Sequence, residues 1–246
     1  MSKFVVGTRF FEKDLAKAGD SLKRLVAFVT AALVAGAEKV YVAVNLEEDR
    51  SEAIRQSWPD GVSVFPVTPW GKFVLPLNAI IMMARSELGA GAKLLLSSVE
   101  VSLIREKIDQ LFNYMDDRTL VVGAALQGHQ YEPGTHQRAT GREVPWNTFS
   151  VWNPEYLWTT GFPLLGDGIM NDPSTAGVEE VATIAILQRL YPNLEAKLVS
   201  VGDAWDTSHF DGERLAAHEK KMSSKNDRPA KQLASVGLEG PTVIHL

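Results

Sequence analysis

Strand-like and helix-like segments alternate through the first half of the chain, and this alternation constrains the fold more than any other feature. Short apolar strand patterns occur at residues 4–7, 39–45, 62–67 and 94–96. Helical spacing of apolar residues, or a short helical pattern, occurs between them at residues 20–36, 50–57, 77–88 and 104–115. Such alternation is typical of a parallel sheet whose crossover connections are helices. We therefore predict an α/β fold, with a mostly parallel sheet and helices on both faces.

The second half adds strand patterns at 120–126 and 196–201, a helix at 178–190, and two irregular regions. Residues 127–147 are polar and rich in Gly, Pro and His, which predicts a long loop. Residues 207–246 turn from acidic to basic and then to weakly apolar. We predict one domain over residues 1–246, with residues 207–246 as a mobile C-terminal tail.

The overall composition excludes several classes of protein. The chain has 246 residues, a formal net charge of −5 and no cysteine. A negative chain lacks the basic face of a nucleic-acid-binding protein, so no nucleic-acid partner is expected. The absence of cysteine excludes disulfides and thiolate chemistry. The longest apolar run, residues 25–37, is too short to span a bilayer, and no signal-peptide pattern precedes the first strand. We expect no transmembrane segment and a cytoplasmic location.

Polar side chains follow the buried strand at residues 94–96. Ser98 and Glu100 lie two positions apart, so their side chains point the same way if the backbone stays extended. The crevice beyond the carboxyl end of such a strand is where open α/β sheets bind ligands. These two side chains could hold a divalent cation, and the cation could hold a diphosphate. Alternatively, Ser97 and Ser98 cap the following helix, and Glu100 interacts favourably with its positive end.

The order of several motifs along residues 4–206 points in the same direction. The sequence contains, in order, Val5-Val6-Gly7, an acidic run at 47–49, Gly71, Pro76-Leu77-Asn78-Ala79, Ser98-Val99-Glu100, Thr160-Gly161-Phe162 and Val178-Glu179-Glu180-Val181. This order resembles the GT-A nucleotide-sugar glycosyltransferases, especially the family 2-like enzymes. In that family the corresponding motifs are Asp-x-Asp at 98–100, Gly-Gly-Phe at 160–162 and a Glu-Asp pair at 179–180.

The resemblance implies roles for individual residues. It implies donor contacts by Gly7, Asp49, Lys72, Asn78 and Ser98. It also implies Mn²⁺ or Mg²⁺, held by Glu100 and Ser98 with a histidine from the C-terminal region, for which His209 is the first choice and His218 the second. The alternative for either histidine is a solvated surface side chain, and for Lys72 a loop lysine without a role.

Glu180, assisted by Glu179, is the candidate general base. A carboxylate near an apolar wall has its pKa raised toward neutrality, which suits removal of a proton from an acceptor hydroxyl. The alternative is that both carboxylates simply complement the helix dipole.

The basic tail offers a second source of positive charge for the diphosphate. Lys220, Lys221, Lys225 and Arg228 could close over the leaving group as a lid. The alternative is a solvated helix face.

Together these observations predict a glycosyltransferase that moves a sugar from a nucleotide-diphosphate donor, such as a UDP-sugar, to an unknown hydroxyl acceptor. One alternative is a GT-A-like protein that has lost catalysis and only binds a ligand, since Ser98 replaces an Asp. The other is a sugar-phosphate nucleotidyltransferase. The Gly-rich phosphate loop of that class would follow the first strand, and residues 8–11 contain no glycine.

Overall fold

The computed structural model describes residues 3–12, 19–45, 58–87, 91–208 and 210–246 as an α/β fold. The strands are β1 Phe4–Phe10, β2 Lys39–Val44, β3 Val62–Pro66, β4 Lys93–Ser97, β5 Thr119–Ala124, β6 His136–Arg138, β7 Phe149–Trp152, β8 Glu195–Val199 and β9 Thr242–His245. The α-helices in these ranges are α1 Gly19–Val34, α2 Val74–Glu87, α3 Arg105–Phe112, α4 Pro154–Thr160, α5 Glu179–Leu190, α6 Gly212–Ser223 and α7 Asp227–Ser235. Short 3-10 turns occupy Leu164–Asp167, Ile169–Asn171 and Pro173–Thr175.

The nine strands form one sheet in the order β3-β2-β1-β4-β7-β5-β8-β9-β6. Pairing is parallel between β3 and β2, β2 and β1, β1 and β4, β5 and β8, and β8 and β9. Strand β7 runs antiparallel between β4 and β5, and β6 runs antiparallel to β9. The mostly parallel sheet predicted from the sequence is therefore confirmed.

Helices cover both faces of this sheet, as expected. Side chains alternate along β1, so Phe4 and Gly7 point to opposite faces. The Phe4 ring lies 5.5 Å from that of Phe112 on α3. A Cβ at Gly7 would lie 2.5 Å from Ile80 Cγ2 on α2, so glycine is what lets α2 approach the strand. With both faces covered, the β2 side chains from Val40 to Val44 are all 0% exposed, which explains the uninterrupted apolar run of that strand.

The structure differs from the expected organisation in two places. The segment predicted as a loop, residues 127–147, contains β6, whose three residues pair with β9. Residues 207–246 supply α6, α7 and β9, and β9 lies inside the sheet between β8 and β6. These strands have only three and four residues, so their apolar alternation is too short to stand out in the sequence. The predicted mobility of the tail stays a prediction.

Two other sequence predictions concern a membrane segment and a short helix. No helix in the described ranges is long and apolar enough to cross a membrane. The helix predicted at residues 50–57 falls within residues 46–57, which lie outside the described residues.

Candidate functional site

Two adjoining cavities open at the carboxyl ends of β1 and β4. The smaller has a volume of about 130 Å³ and is lined by Gly7, Thr8, Ser97 and Ser98, among others. The larger, of about 210 Å³, is lined by both glutamates that begin α5. The two cavities share Arg9, Asn147 and Thr148. This is the edge of the sheet at which the sequence predicted a ligand site.

Glu179 is fixed by neighbours at the floor of the larger cavity. Its Oε1 lies 3.3 Å from Arg9 Nη1 and accepts a hydrogen bond of 3.4 Å from Asn147 Nδ2. Asn147 is oriented in turn by Trp152, whose Nε1 donates to Asn147 Oδ1 at 3.0 Å. These two partners fix the position of the Glu179 carboxylate in the cavity. Its predicted assistance to Glu180 stays a prediction.

Glu180 lines the same cavity, is only 4% exposed, and forms no ion pair with any described residue. Burial, followed by the neighbouring Glu179 carboxylate, raises the pKa of Glu180 to about 7, although Lys225 and Arg9 oppose the shift. A carboxyl group that titrates near neutrality, next to a cavity, can accept a proton from a bound hydroxyl. Its place in the first turn of α5 also fits the helix-dipole alternative, so geometry alone leaves both roles open.

The start of α5 is held in an unusual backbone conformation. Val178, immediately before the helix, has φ 63° and ψ 41°, a left-handed conformation that β-branched residues rarely adopt. The preceding turn packs tightly against it, because a Cβ at Gly166 would lie 2.6 Å from Glu179 Cβ. Strain of this kind persists where the surroundings impose it, and it is often found at functional sites.

Ser98 lines the smaller cavity, whereas Glu100, with which it interacts, lines a separate cavity of about 430 Å³ beside α1. The Ser98 hydroxyl donates to Glu100 Oε2, and Glu100 Oε1 pairs with the guanidinium of Arg214 on α6. The helix-cap alternative for Ser97 and Ser98 is wrong, because α3 begins only at Arg105 and has no side-chain cap. Strand β4 does not lead directly into α3. Between them the backbone at residues 100–102 pairs with the backbone at residues 204–206.

The predicted metal ligands do not form a complete set in the described part of the chain. No group of three His, Asp, Glu or Cys side chains is close enough there to hold a metal ion. Glu100 already accepts from a hydroxyl and a guanidinium, and Ser98 is neutral. A divalent ion would therefore have to displace a resident cation, so these residues do not fit such an ion as they stand. His209 lies outside the described residues, and the predicted Mn²⁺ or Mg²⁺ stays a prediction.

The remaining predicted donor contacts are engaged within the protein. Asn78 accepts from Phe162 N at 2.8 Å and donates to Phe162 O at 2.9 Å, so it fixes the segment after α4. Lys72 Nζ donates to Asp167 O at 2.9 Å. Gly7 lines the smaller cavity in addition to packing against α2. Asp49 lies outside the described residues. The donor contacts of these residues stay predictions.

The basic tail forms a stripe beside the larger cavity. Arg214, His218, Lys221 and Lys225 are spaced at i, i+4, i+7 and i+11, which places them on one face of α6 and its extension. We call this set the basic stripe. Arg214 reaches Glu100, whereas the other three line the larger cavity beside Glu180. The stripe thus connects the end of β4 with the start of α5.

Lys225 is held by an aromatic stack. Its Nζ lies 3.4 Å from the centre of the Trp146 ring, and the same ring stacks on His129 at 3.5 Å and contacts Trp205 edge-on. Burial lowers the pKa of His129 to about 3, so His129 is neutral and does not repel the ammonium. A cation on a desolvated Trp face gains about 2 kcal/mol. Burial lowers the pKa of Lys225 to about 8, against the opposing effect of Glu180 and Glu179.

Arg228 has a different role from the other tail cations. It is buried and donates to the backbone carbonyls of Ala176, Lys221 and Ser224. These bonds tie α7 to the strained segment that precedes α5. Lys220 is exposed and lines neither cavity.

Two buried polar atoms at the cavities have no hydrogen-bond partner among the described residues. Thr8 Oγ1 belongs to a side chain that is 2% exposed and lines the smaller cavity. Trp205 Nε1 lines the larger one. A buried polar group without a partner is costly, so both atoms suit a bound ligand that supplies the missing bond.

Sequence reasoning missed two residues of the site, Arg9 and Arg214. Arg9 follows the last residue of the predicted first strand by two positions, and a polar side chain at a strand's carboxyl end was a usable signal. Arg214 shares the helical spacing of the basic stripe, and this spacing was a second usable signal. Its partner Glu100 lies 114 positions away, so the ion pair itself could not be read locally.

Comparison with solved structures supports the fold. Glucosyl-3-phosphoglycerate synthase from Mycobacterium tuberculosis, in complex with Mn²⁺, UDP and phosphoglyceric acid, matches with a TM-score of 0.54 and 11% identity over 95% of this chain and 78% of that chain. Its complex with Mn²⁺, UDP-glucose and glycerol 3-phosphate matches with a TM-score of 0.53 and 13% identity over 95% of this chain and 79% of that chain. Mannosyl-3-phosphoglycerate synthase from Rubrobacter xylanophilus matches with a TM-score of 0.52 and 12% identity over 96% of this chain and 75% of that chain.

No protein-family model and no curated protein sequence matches the chain. At 11–13% identity the structural likeness establishes the fold alone. It supports the α/β fold with a mostly parallel sheet described above. The chain therefore has the GT-A fold of the nucleotide-diphospho-sugar transferases.

Proposed function

We propose that this protein transfers a glycosyl group from a nucleoside-diphosphate sugar to a hydroxyl acceptor. The observation that carries the proposal is Glu180, a buried carboxyl group with a pKa of about 7 that faces a cavity lined by cations. A base for a hydroxyl and positive charge for a leaving diphosphate are the two things this reaction requires. UDP is our first choice of nucleotide, because UDP or a UDP-sugar is present in solved neighbours of the same fold.

The chemistry is a direct displacement with inversion at the sugar carbon. The acceptor oxygen forms a bond to the anomeric carbon while its proton passes to the Glu180 carboxylate. The bond from that carbon to the diphosphate oxygen breaks, and the nucleoside diphosphate leaves with the electron pair. Glu179, held by Arg9 and Asn147, keeps the start of α5 in place.

The donor is best accommodated in the smaller cavity and the acceptor in the larger one. The smaller cavity lies at the carboxyl ends of β1 and β4, where open α/β sheets bind nucleotides, and contains the unpartnered Thr8 hydroxyl. The larger cavity contains Glu180, to which an acceptor hydroxyl must come close. Arg9 and Asn147 line both, at the place where the two substrates would meet.

We further propose that the acceptor carries a negative charge. Arg9, Lys221, Lys225 and Arg228 line the larger cavity against the carboxylates of Glu179 and Glu180, so the cations are in excess. Lys225 Nζ lies against the Trp146 ring and forms no ion pair with any described residue, and a partly buried cation without a paired carboxylate favours an anionic ligand. Phosphoglyceric acid and glycerol 3-phosphate are present in the solved neighbours, which makes small phosphorylated hydroxy compounds the first acceptors to test.

A thermal-shift screen followed by a transfer assay tests the proposal. UDP, GDP and their sugars should raise the melting temperature, since a ligand that binds only the folded state stabilises it. Glu180→Gln should retain this shift and lose transfer to the acceptor. Glu155→Gln, an exposed glutamate in the first turn of α4, is the matched control and should keep both.

Other outcomes would assign a different function. Stabilisation by nucleoside triphosphates and sugar phosphates, with release of pyrophosphate, would make the protein a nucleotidyltransferase. Nucleotide-sugar binding without transfer to any acceptor would indicate a binding protein. Full transfer activity in Glu180→Gln would reject Glu180 as the base.

A further inference from the structure

The position at which GT-A motifs place a metal ion is occupied here by a side-chain cation. Glu100 follows β4 at that position, and its carboxylate pairs with the Arg214 guanidinium. The Glu100 side chain is 11% exposed, whereas that of Arg214 is 43% exposed. The guanidinium is therefore more accessible to an incoming ligand than the carboxylate is.

We propose that Arg214, held by Glu100, binds the diphosphate of the donor directly and takes the place of a divalent ion. The inference rests on the proposed function, because it concerns the donor of that reaction. It does not rest on the absence of an ion from the structure. It rests on which partners the Glu100 oxygens already have.

The chemistry of the residues around Glu100 supports this assignment. A divalent ion prefers several oxygen ligands, commonly two or more carboxylates. Here the second position of the motif is Ser98, a neutral hydroxyl that itself donates to Glu100. A guanidinium has five N–H donors in a planar fork, so after pairing with one carboxylate it can still donate to phosphate oxygens.

The contacts around Arg214 also suit a side chain that binds phosphate from a fixed position. Its guanidinium carbon lies 4.2 Å from the centre of the Phe210 ring, which limits its freedom. Backbone bonds from Ser102 N to Ala204 O and from Asp206 N to Glu100 O join the segment before α6 to the end of β4. The Arg214 side chain is therefore organised before a donor arrives, which lowers the entropic cost of binding.

The rest of the basic stripe continues the positive charge toward the reaction centre. Arg214 and Lys221 are seven residues apart on one helix, a rise of about 10 Å. That length suits a group that extends from the end of β4 to the cavity beside Glu180. A diphosphate bound by Arg214 would lie at one end of the stripe, and Lys221 extends the positive charge toward the cavity in which the acceptor binds.

Nucleotide binding with and without metal provides the test. Isothermal titration of the full chain with UDP, in EDTA and in Mn²⁺, should give dissociation constants within threefold of each other. Arg214→Met should weaken UDP binding at least tenfold in EDTA, and Arg214→Lys should recover part of the loss. Arg138→Met, which removes the exposed Arg138–Glu239 pair, is the matched control and should leave UDP binding unchanged.

A second measurement uses the metal alone. Mn²⁺ binding followed by electron paramagnetic resonance should be undetectable in the unaltered protein at the Mn²⁺ concentration used in the titration. Saturable Mn²⁺ binding by the unaltered protein that Glu100→Gln abolishes would overturn the proposal.

The outcomes separate this inference from the proposed function. UDP binding that requires Mn²⁺, or that Arg214→Met leaves unchanged, overturns the role of Arg214 and leaves glycosyl transfer standing. No binding of any nucleotide under either condition overturns both.

Discussion

Replacing Glu180 by Gln should remove catalysis and at the same time stabilise the protein, in a way that depends on pH. The pKa of Glu180 is about 7, against a usual value of 4.5. Because the folded state binds the proton more tightly than the unfolded state, stability is fully present below pH 4.5 and falls as the pH rises toward 7. A difference of about 2.5 pH units at 1.36 kcal/mol each corresponds to about 3 kcal/mol.

The Gln variant carries no ionisable group at this position, so its stability does not fall through this group as the pH rises. Relative to the unaltered protein, its free energy of unfolding should therefore be about 2 kcal/mol more favourable at pH 7.5 than at pH 5. Urea denaturation at the two pH values measures this difference. The exposed Glu155→Gln control should show no comparable dependence on pH, because its carboxylate is solvated in both states.

The result that refutes this reasoning is equally definite. If Glu180→Gln changes stability by the same amount at both pH values, the carboxyl group is not desolvated in the folded protein. The basis for assigning it as the base would then disappear, whatever the variant's activity.

Three further predictions follow from the site and the fold. The kcat/KM for transfer should rise with pH as Glu180 ionises near 7 and fall as Lys225 loses its charge near 8, and a profile that stays flat well below 7 and well above 8 would contradict both roles. Gly7→Ala should lower the free energy of unfolding by about 1–3 kcal/mol through overpacking against α2, so an unchanged urea midpoint would contradict the close approach. Asn78→Ala should cost about 1–3 kcal/mol by leaving the Phe162 backbone unpaired, and increased amide hydrogen exchange at Phe162 measures the release.

The sequence predicted the first half of the fold well because three of its four strands, β1, β2 and β4, are buried on both faces. Strands such as β2 give an uninterrupted apolar run, and the helices between them have a clear apolar period. Glu179 and Glu180 are predicted for a different reason, because they match in position the Glu-Asp pair that opens a helix in GT-A glycosyltransferases. The structure adds what the sequence could not supply, namely that both carboxylates are buried beside a cavity.

The missing parts share a physical cause, which is that their partners are distant in the chain. Strand β9 is only four residues long and is defined by pairing with β8 and β6. The ion pair between Arg214 and Glu100 is likewise invisible to any local pattern. Arg228 belongs to a run of basic residues typical of a solvated face, yet it donates to three backbone carbonyls in the interior.

The position of β9 affects how the tail can be studied. Truncation at Ala217 would test whether the tail is a lid over the cavity. It would also remove β9, which lies between β8 and β6, and leave β6 without a partner. Point substitutions in the basic stripe avoid that loss, because they leave the sheet intact.

The same topology has a consequence for biosynthesis. Strand β6 leaves the ribosome about a hundred residues before β9, the strand it must pair with, and α6 and α7 emerge between β8 and β9. During translation the acidic floor around Glu179 and Glu180 is therefore complete before most of its compensating cations exist. A nascent chain at that stage carries an uncovered pair of carboxylates, and its sheet still lacks the strand that joins β6 to β8.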